Sequence, residues 1–210
     1  STGTYTLTAS GRDIFFEADG FHFTQVTLNG NGEIRARGRS FANTNPWAKA
    51  GVMVREQLAA DARPATSFST PPGAGNGFGM VWRSQSGAAS SYASGPGLSA
   101  PPGNWVRLVR AGDVLTGYAS ADGQSWTLIS STTLGNLSQQ VYIGLAATSG
   151  QSFESSTAVF DQVQINGSTS TQPPQAVLSA ASAQETGPFA VQVRFDQPVT
   201  GLELTDFILT

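Results

Sequence analysis

Short runs of alternating apolar and polar residues, separated by Gly, Pro and Asn, constrain the fold of this chain more than any other feature. Alternation over four to eight residues is typical of a β-strand with one buried face. The chain has 24 Gly and 11 Pro, and only 12% of its residues are charged, which favours tight turns over amphipathic helices. The sequence therefore predicts an all-β antiparallel sandwich. The runs that predict strands are 21–28, 33–41, 49–55, 77–82, 105–110, 114–119 and 141–147.

The segments between these runs carry turn and loop residues. The Asn-Gly-Asn-Gly sequence at 29–32 and the Asp-Gly pair at 122–123 contain residues that tolerate positive φ, so we expect a tight hairpin at each. Prolines in 69–76 and 94–104 exclude a central strand. We expect both of these segments to be surface loops.

A change in composition after residue 165 predicts a domain boundary. Residues 166–174 are polar and end in two prolines, as expected for a linker. We therefore predict a sandwich over 1–167, a linker over 168–175 and a second domain over 176–210. The strand-like runs 176–181, 189–195 and 206–210 are too few for a complete immunoglobulin-like sandwich.

Few residues of the chain are suited to catalysis. It has no cysteine and a single histidine, His22, and no serine lies in a G-x-S-x-G elbow. No strand presents the paired carboxylates, two or four residues apart, that sandwich glucanases use. We therefore predict that the chain has no catalytic residues and is not an enzyme, with a polysaccharide-active enzyme as the less favoured alternative.

Charge and hydropathy bear on the partners of the chain. The formal net charge is −3, which gives no general attraction to nucleic acid. The sequence has no apolar stretch long enough to span a membrane. We expect neither a nucleic acid partner nor membrane insertion.

Three acidic residues lie close together near the N-terminus: Asp13, Glu17 and Asp19. Carboxylate oxygens are the ligands that Ca²⁺ prefers, so these residues offer a structural calcium site. Turn and capping roles are the favoured interpretation. We accordingly predict no cofactor and no metal-ligating residue, with a structural calcium ion as the alternative.

The two faces of the strand predicted at 49–55 differ in character. Its even-numbered residues are apolar and point to one face, whereas Lys49, Met53 and Arg55 point to the other. In 33–41, three arginines likewise lie opposite the apolar positions. The short connection at 42–47 predicts that the two strands are antiparallel neighbours, so that five cationic groups share one sheet face.

Such a face suits a glycan, because guanidinium groups donate paired hydrogen bonds and aromatic rings stack on sugars. We predict that Arg37, Arg55, Trp82, Tyr142 and Trp47 bind the ligand. In the alternative interpretation, the arginines form ordinary ion pairs on a solvated surface and the tryptophans belong to the core.

The longest recognisable motif runs from Asn43 to Glu56 (Asn-Thr-Asn-Pro-Trp-Ala-Lys-Ala-Gly-Val-Met-Val-Arg-Glu). Together with Trp-Val-Arg-Leu-Val-Arg at 105–110 and Tyr-Ile-Gly-Leu at 142–145, it resembles the bacterial concanavalin A-like family described as regulation-of-enolase-like. The resemblance covers about residues 5–166 and implies a jelly-roll sandwich. Residues 176–210 resemble the start of a bacterial immunoglobulin-like repeat.

The resemblance also implies a role. It favours a non-catalytic carbohydrate-binding or adhesive module of a larger secreted or cell-surface bacterial protein. The partners expected are a polysaccharide or other glycan and the neighbouring domains of a longer chain. A structural spacer without ligand is the alternative.

Overall fold

The structure, a computed structural model, describes residues 3–97 and 103–170 and the backbone of 176–180 and 191–195. The chain divides into two compact units, Ser1–Ser170 and Thr171–Thr210. These described residues contain no helix, and the predicted all-β class is confirmed. Accordingly, no helix in this part of the chain is long and apolar enough to cross a bilayer. The strands of the first unit are β1 (Tyr5–Gly11), β2 (His22–Phe41), β3 (Lys49–Arg55), β4 (Pro64–Ser69), β5 (Phe78–Trp82), β6 (Ser91–Ser94), β7 (Trp105–Ala111), β8 (Val114–Ser120), β9 (Thr127–Thr133), β10 (Gln140–Thr148) and β11 (Gln151–Ser170).

The first unit is a jelly-roll sandwich built on one long bent strand. The N-terminal half of β2 pairs with β10, whereas its C-terminal half pairs with β7 and β11. One layer contains, in order, β6, β5, β4, β3, β10 and the N-terminal half of β2, and we call it the first sheet. The second sheet contains β1, β11, the C-terminal half of β2, β7, β8 and β9.

The inner faces of the two sheets form the core. Val52, Ile143 and Met80 from the first sheet and Leu108 and Leu115 from the second are fully buried in one cluster. A Cβ added to Gly117 of β8 would lie 3.0 Å from the Met80 sulfur of β5, so the two layers touch closely there. Burial of these alternating apolar side chains is the main force that holds the layers together.

The predicted hairpin at 29–32 is wrong. β2 runs through this sequence without reversing, because its glycines let it bend from one sheet into the other. Gly30 has φ +76° and donates its N–H to the Gln139 carbonyl. A Cβ on Gly32 would lie 2.6 Å from both the Asn166 carbonyl oxygen and the Leu28 side chain. The predicted strands 21–28 and 33–41 are thus two halves of one strand.

The predicted pairing of 33–41 with 49–55 is also wrong. β3 lies between β10 and β4 in the first sheet, whereas the C-terminal half of β2 belongs to the second sheet. The connection at 42–48 leads from one layer to the other. The arginines of β2 and the cations of β3 therefore do not share a face.

The predicted hairpin at 122–123 is confirmed between β8 and β9. Gly123 has φ +73°, and the Asp122 carboxylate accepts the backbone N–H groups of Gln124 and Ser125 at 2.8 and 2.7 Å. These hydrogen bonds lower the pKa of Asp122 well below its usual range. The acidic residue therefore serves the turn.

The C-terminal part of the chain agrees with the sequence prediction in part. β12 (Ala176–Ala180) and β13 (Val191–Phe195) form an antiparallel pair, near the predicted runs 176–181 and 189–195. The predicted strand 206–210 lies outside the described residues. Residues 168–170, assigned to the linker, instead pair with β2 as the end of β11. The domain boundaries and the immunoglobulin-like nature of the second unit stay predictions.

The bend in β2 can be tested with Gly30→Ala. An L-residue at this φ is strained, so we expect the free energy of unfolding to fall by about 1 kcal/mol. Gly135→Ala is the matched control, since no atom lies within 4 Å of its added Cβ and its φ is not in the left-handed region. Urea denaturation measures both. Equal effects of the two substitutions would contradict the role of Gly30.

Candidate functional site: an aromatic pocket under a covering loop

A loop between β1 and β2, residues 12–21, lies on the outer face of the first sheet, and we call it the covering loop. Its ends are held together, because Gly20 donates its N–H to the Asp13 carbonyl at 2.8 Å. A Cβ on Gly11 would lie 2.0 Å from the Gly20 carbonyl oxygen, so only glycine allows this approach. Ile14 anchors the middle of the loop in a second apolar cluster on β3, β4, β5 and β10. That cluster consists of Ile14, Met53, Phe68, Val81 and Ala146.

The loop is also fixed by a buried ionic group. Asp19 accepts hydrogen bonds from Arg55 at 2.5 Å and from Arg83 at 2.7 and 3.0 Å, and all three side chains are fully excluded from solvent. Arg83 further donates to the carbonyl oxygens of Phe15 and Phe16. Removing a carboxylate from water is costly unless it is paired and hydrogen-bonded, and here both conditions are met.

A pocket of about 240 Å³ opens beside this loop. Its lining combines four aromatic rings with one carboxylate and one ammonium group. Trp47 is 46% exposed, and its ring meets that of Tyr92 edge to face, with 5.9 Å between centroids. An exposed aromatic ring beside a carboxylate offers stacking together with hydrogen-bond acceptance. The lining residues are Asp13, Phe15, Phe16, Trp47, Lys49 and Tyr92.

Lys49 is the electrostatic centre of the pocket. Its Nζ lies 2.5 Å from an Asp13 carboxylate oxygen and 5.4 to 5.9 Å from the rings of Phe15, Trp47 and Phe68. Burial lowers the pKa of Lys49, and the attraction of Asp13 opposes this shift. The pair places a carboxylate at the pocket wall and fixes it there.

The structure does not bring the five predicted ligand-binding residues together. Trp47 lines the pocket. Arg55 has no exposed surface and is paired with Asp19, so it cannot meet a ligand on an open face. Trp82 packs against the core. Tyr142 is half-buried on the first sheet, and Arg37 lies on the second.

Arg37 forms an ion pair on the outer face of the second sheet. Its Nε and Nη2 each donate to Asp161 at 2.7 Å. This geometry lowers the pKa of Asp161 and raises that of Arg37. The alternative interpretation from sequence, an ordinary surface ion pair, therefore describes Arg37 in this structure.

Two of the three acidic residues singled out as a calcium site have other partners. Asp13 pairs with Lys49, and Asp19 pairs with Arg55 and Arg83. Within the described residues, no three His, Cys, Asp or Glu side chains cluster closely enough to hold a metal ion. The expected absence of a cofactor stays a prediction.

Sequence reasoning missed Arg83, Asp13 and Lys49 as partners in this site. The single lysine of the chain lies in a strand of small apolar residues, and a buried lysine needs an acidic partner. The apolar surroundings of Lys49 were therefore the available signal that it is buried and paired. Its partner, Asp13, lies about 36 residues away in a loop, and local sequence patterns do not predict contacts over such a separation.

Comparison with known proteins supports the jelly-roll fold. A functionally unknown protein from Saccharomyces cerevisiae aligns with 18% identity over 80% of this chain and 90% of its own, with a TM-score of 0.59. A mutant of the GH43 protein BlXynB from Bacillus licheniformis has 16% identity, covering 79% of this chain and 33% of that one, with a TM-score of 0.56. An immunostimulatory antigen and pseudo β-1,3-glucanase of Mycobacterium tuberculosis has 13% identity over 79% and 75%, with a TM-score of 0.50. No protein-family model matches the chain, and no curated protein matches it.

These neighbours correct the functional expectation drawn from sequence. We expected a non-catalytic carbohydrate-binding or adhesive module and predicted that the chain is not an enzyme. The structures that share the fold include a GH43 protein and a pseudo β-1,3-glucanase. These neighbours contradict the expectation of a non-catalytic module, and both predictions are wrong.

The buried ionic group can be tested with Asp19→Asn. Loss of the carboxylate leaves two buried guanidinium groups without their counter-charge, so we expect the free energy of unfolding to fall by about 3 kcal/mol or more. Glu17→Gln removes an exposed carboxylate from the covering loop itself and should have little effect. Chemical denaturation provides the measurement. A change below about 1 kcal/mol for Asp19→Asn, within the range of a surface pair, would contradict the assignment.

The Arg37–Asp161 ion pair makes a pH-dependent contribution to the free energy of unfolding. The pKa of Asp161 is lower in the folded state than in the unfolded chain. The ion pair therefore stabilises the fold at pH values above the ordinary carboxyl pKa, and this stabilisation is lost as the pH falls through the folded-state pKa. Asp161→Asn should therefore be less stable than the wild type at neutral pH, and the difference should shrink towards about pH 2. Denaturation at several pH values measures this, with Glu154→Gln, an exposed site, as control. A difference independent of pH would contradict the ion pair.

Proposed function

We propose that this chain is a polysaccharide-active protein that holds a sugar ring in the aromatic pocket beside the covering loop. The observation that carries the proposal is the combination of the exposed Trp47 ring with the fixed Asp13 carboxylate in one cavity. Sugars present an apolar ring face and a rim of hydroxyl groups. An aromatic face and a carboxylate acceptor match these two features.

The size of the pocket favours a short stretch of polymer. Its volume of about 240 Å³ is below the roughly 300–1,000 Å³ of sites for drug-sized ligands. A single sugar unit of a longer chain suits such a cavity. The remainder of the polymer would lie outside it.

The electrostatics of the pocket favour a particular role for Asp13. Its contact with the Lys49 ammonium group, at 2.5 Å, fixes the carboxyl group at the pocket wall. Carboxylate oxygens accept hydrogen bonds from hydroxyl groups and stabilise positive charge that develops on a sugar ring. We assign Asp13 to saccharide contact and charge stabilisation.

The wider setting of the protein is also proposed. The motifs that resemble the regulation-of-enolase-like family, and the immunoglobulin-like motifs after residue 176, support a secreted or cell-surface bacterial protein with further domains. One neighbour of the same fold carries a name that refers to a polysaccharide, the pseudo β-1,3-glucanase. A β-linked glucan is therefore the first probe.

The proposal is tested with the full chain on insoluble β-1,3-glucan and on a panel of other neutral polysaccharides. Pull-down measures binding, and reducing-sugar release measures hydrolysis. Trp47→Ala should weaken binding about tenfold by loss of stacking, and Asp13→Asn should abolish any sugar release. Phe153→Ala, which removes a fully exposed ring away from the pocket, should change neither.

Two results would contradict the proposal. One is wild-type protein that neither binds nor cleaves any polysaccharide of the panel. The other is binding or cleavage that Trp47→Ala and Asp13→Asn leave unchanged.

A further inference from the structure

The outer face of the second sheet carries an array of arginines and aromatic rings that the proposed function does not use. We call it the arginine face, and it consists of Arg35, Arg37, Trp105, Arg107, Tyr118 and Trp126. Alternation along β2, β7 and β8 places these side chains away from the core, whose members in the same strands include Ile34, Leu108 and Leu115.

Two of the arginines face each other directly. Arg35 of β2 is paired in register with Arg107 of β7, and like charges in such positions destabilise a sheet. Arg107 is neutralised by Glu33, to which it donates through Nε and Nη2. Arg35 donates to the neutral amide oxygen of Gln164 at 3.0 and 2.6 Å. Among the described residues of this face, Arg35 therefore lacks a carboxylate partner.

Aromatic rings flank the arginine pair on both sides. The Arg35 guanidinium lies 6.0 Å from the centre of the Trp105 ring. Arg107 lies 5.4 Å from the Tyr118 ring and 5.6 Å from the Trp126 ring. Such contacts orient a guanidinium group without removing its charge. The cationic groups are thus held in place next to surfaces on which a sugar ring can stack.

The charge of the face differs in sign from that of the whole chain. Among the described residues on this face and paired with it, the guanidinium groups belong to Arg35, Arg37, Arg39 and Arg107, and the carboxylates to Glu33 and Asp161. Two positive charges are therefore in excess here, although the chain has a formal net charge of −3. This local excess attracts a ligand that carries its own negative charges.

We propose that the arginine face binds an acidic polysaccharide through the carboxylate groups of the polysaccharide, with Arg35 receiving a uronate and the flanking rings stacking on the sugars. Planar guanidinium forks match carboxylates. The face already shows this geometry in the Arg37–Asp161 pair, with two hydrogen bonds of 2.7 Å. Duplex DNA, with one charge per roughly 1.7 Å, suits a net negative chain poorly. This face lies on the opposite layer from the pocket, so either proposal can fail without the other.

The experiment measures the affinity of the full chain for polygalacturonate oligosaccharides by calorimetry. Arg35→Gln should weaken binding about tenfold, as expected for loss of a hydrogen bond to a charged group, and added salt should weaken wild-type binding. Arg12→Gln is the control, since it removes the same charge from an exposed residue of the covering loop and should leave the affinity unchanged. A thermal unfolding midpoint of each variant that lies near the wild-type midpoint verifies that both variants are folded.

Several outcomes would overturn the proposal. These are absence of binding to polygalacturonate, equal losses in Arg35→Gln and Arg12→Gln, or duplex DNA binding as tightly as the uronate with the same dependence on Arg35. The last outcome would mean that the face responds to negative charge alone. Trp47→Ala should leave uronate affinity intact, which separates this result from the test of the pocket.

Discussion

A single buried carboxylate, that of Asp19, forms ion pairs with two guanidinium groups that are fully excluded from solvent. Arg55 comes from β3 and Arg83 follows β5, so the contact ties the covering loop to both strands. Arg83 also binds the carbonyl oxygens of Phe15 and Phe16, which otherwise would be costly to bury beside a sheet. The conformation of the whole covering loop depends on this group.

The pocket follows from that constraint. With the loop fixed at Asp19 and anchored by Ile14, the rings of Phe15 and Phe16 are held opposite Trp47 and Tyr92. Lys49 then lies under the loop, where its charge is compensated by Asp13. Burying the Lys49 ammonium group alone would be costly, and the loop offsets that cost because it supplies the Asp13 carboxylate as a partner.

Local patterns predicted the strands well and their arrangement poorly. Alternation in 49–55 correctly placed Val52 and Val54 in the core, because a half-buried strand leaves this pattern in sequence. The same logic assumed that the opposite face is open. It is closed by a loop whose acidic residues were read as a possible calcium site, and Arg55 is buried as a result.

Pairing of distant segments, such as β3 with β10, depends on tertiary contacts that periodicity does not encode. The glycines of 29–32 show the same limit, since they serve a bend between sheets as readily as a hairpin.

In the proposed site, the Trp47 ring is the surface on which a saccharide stacks. The chain has four tryptophans, and fluorine NMR of protein labelled with 5-fluorotryptophan reports on each, with assignment by Trp→Phe substitution. On addition of a neutral β-1,3-glucan oligosaccharide, we predict a saturable shift of the Trp47 signal, while the signal of Trp82, which packs against the core, stays in place. A Trp47 signal that does not move, while binding is demonstrated in the same sample, would contradict the account.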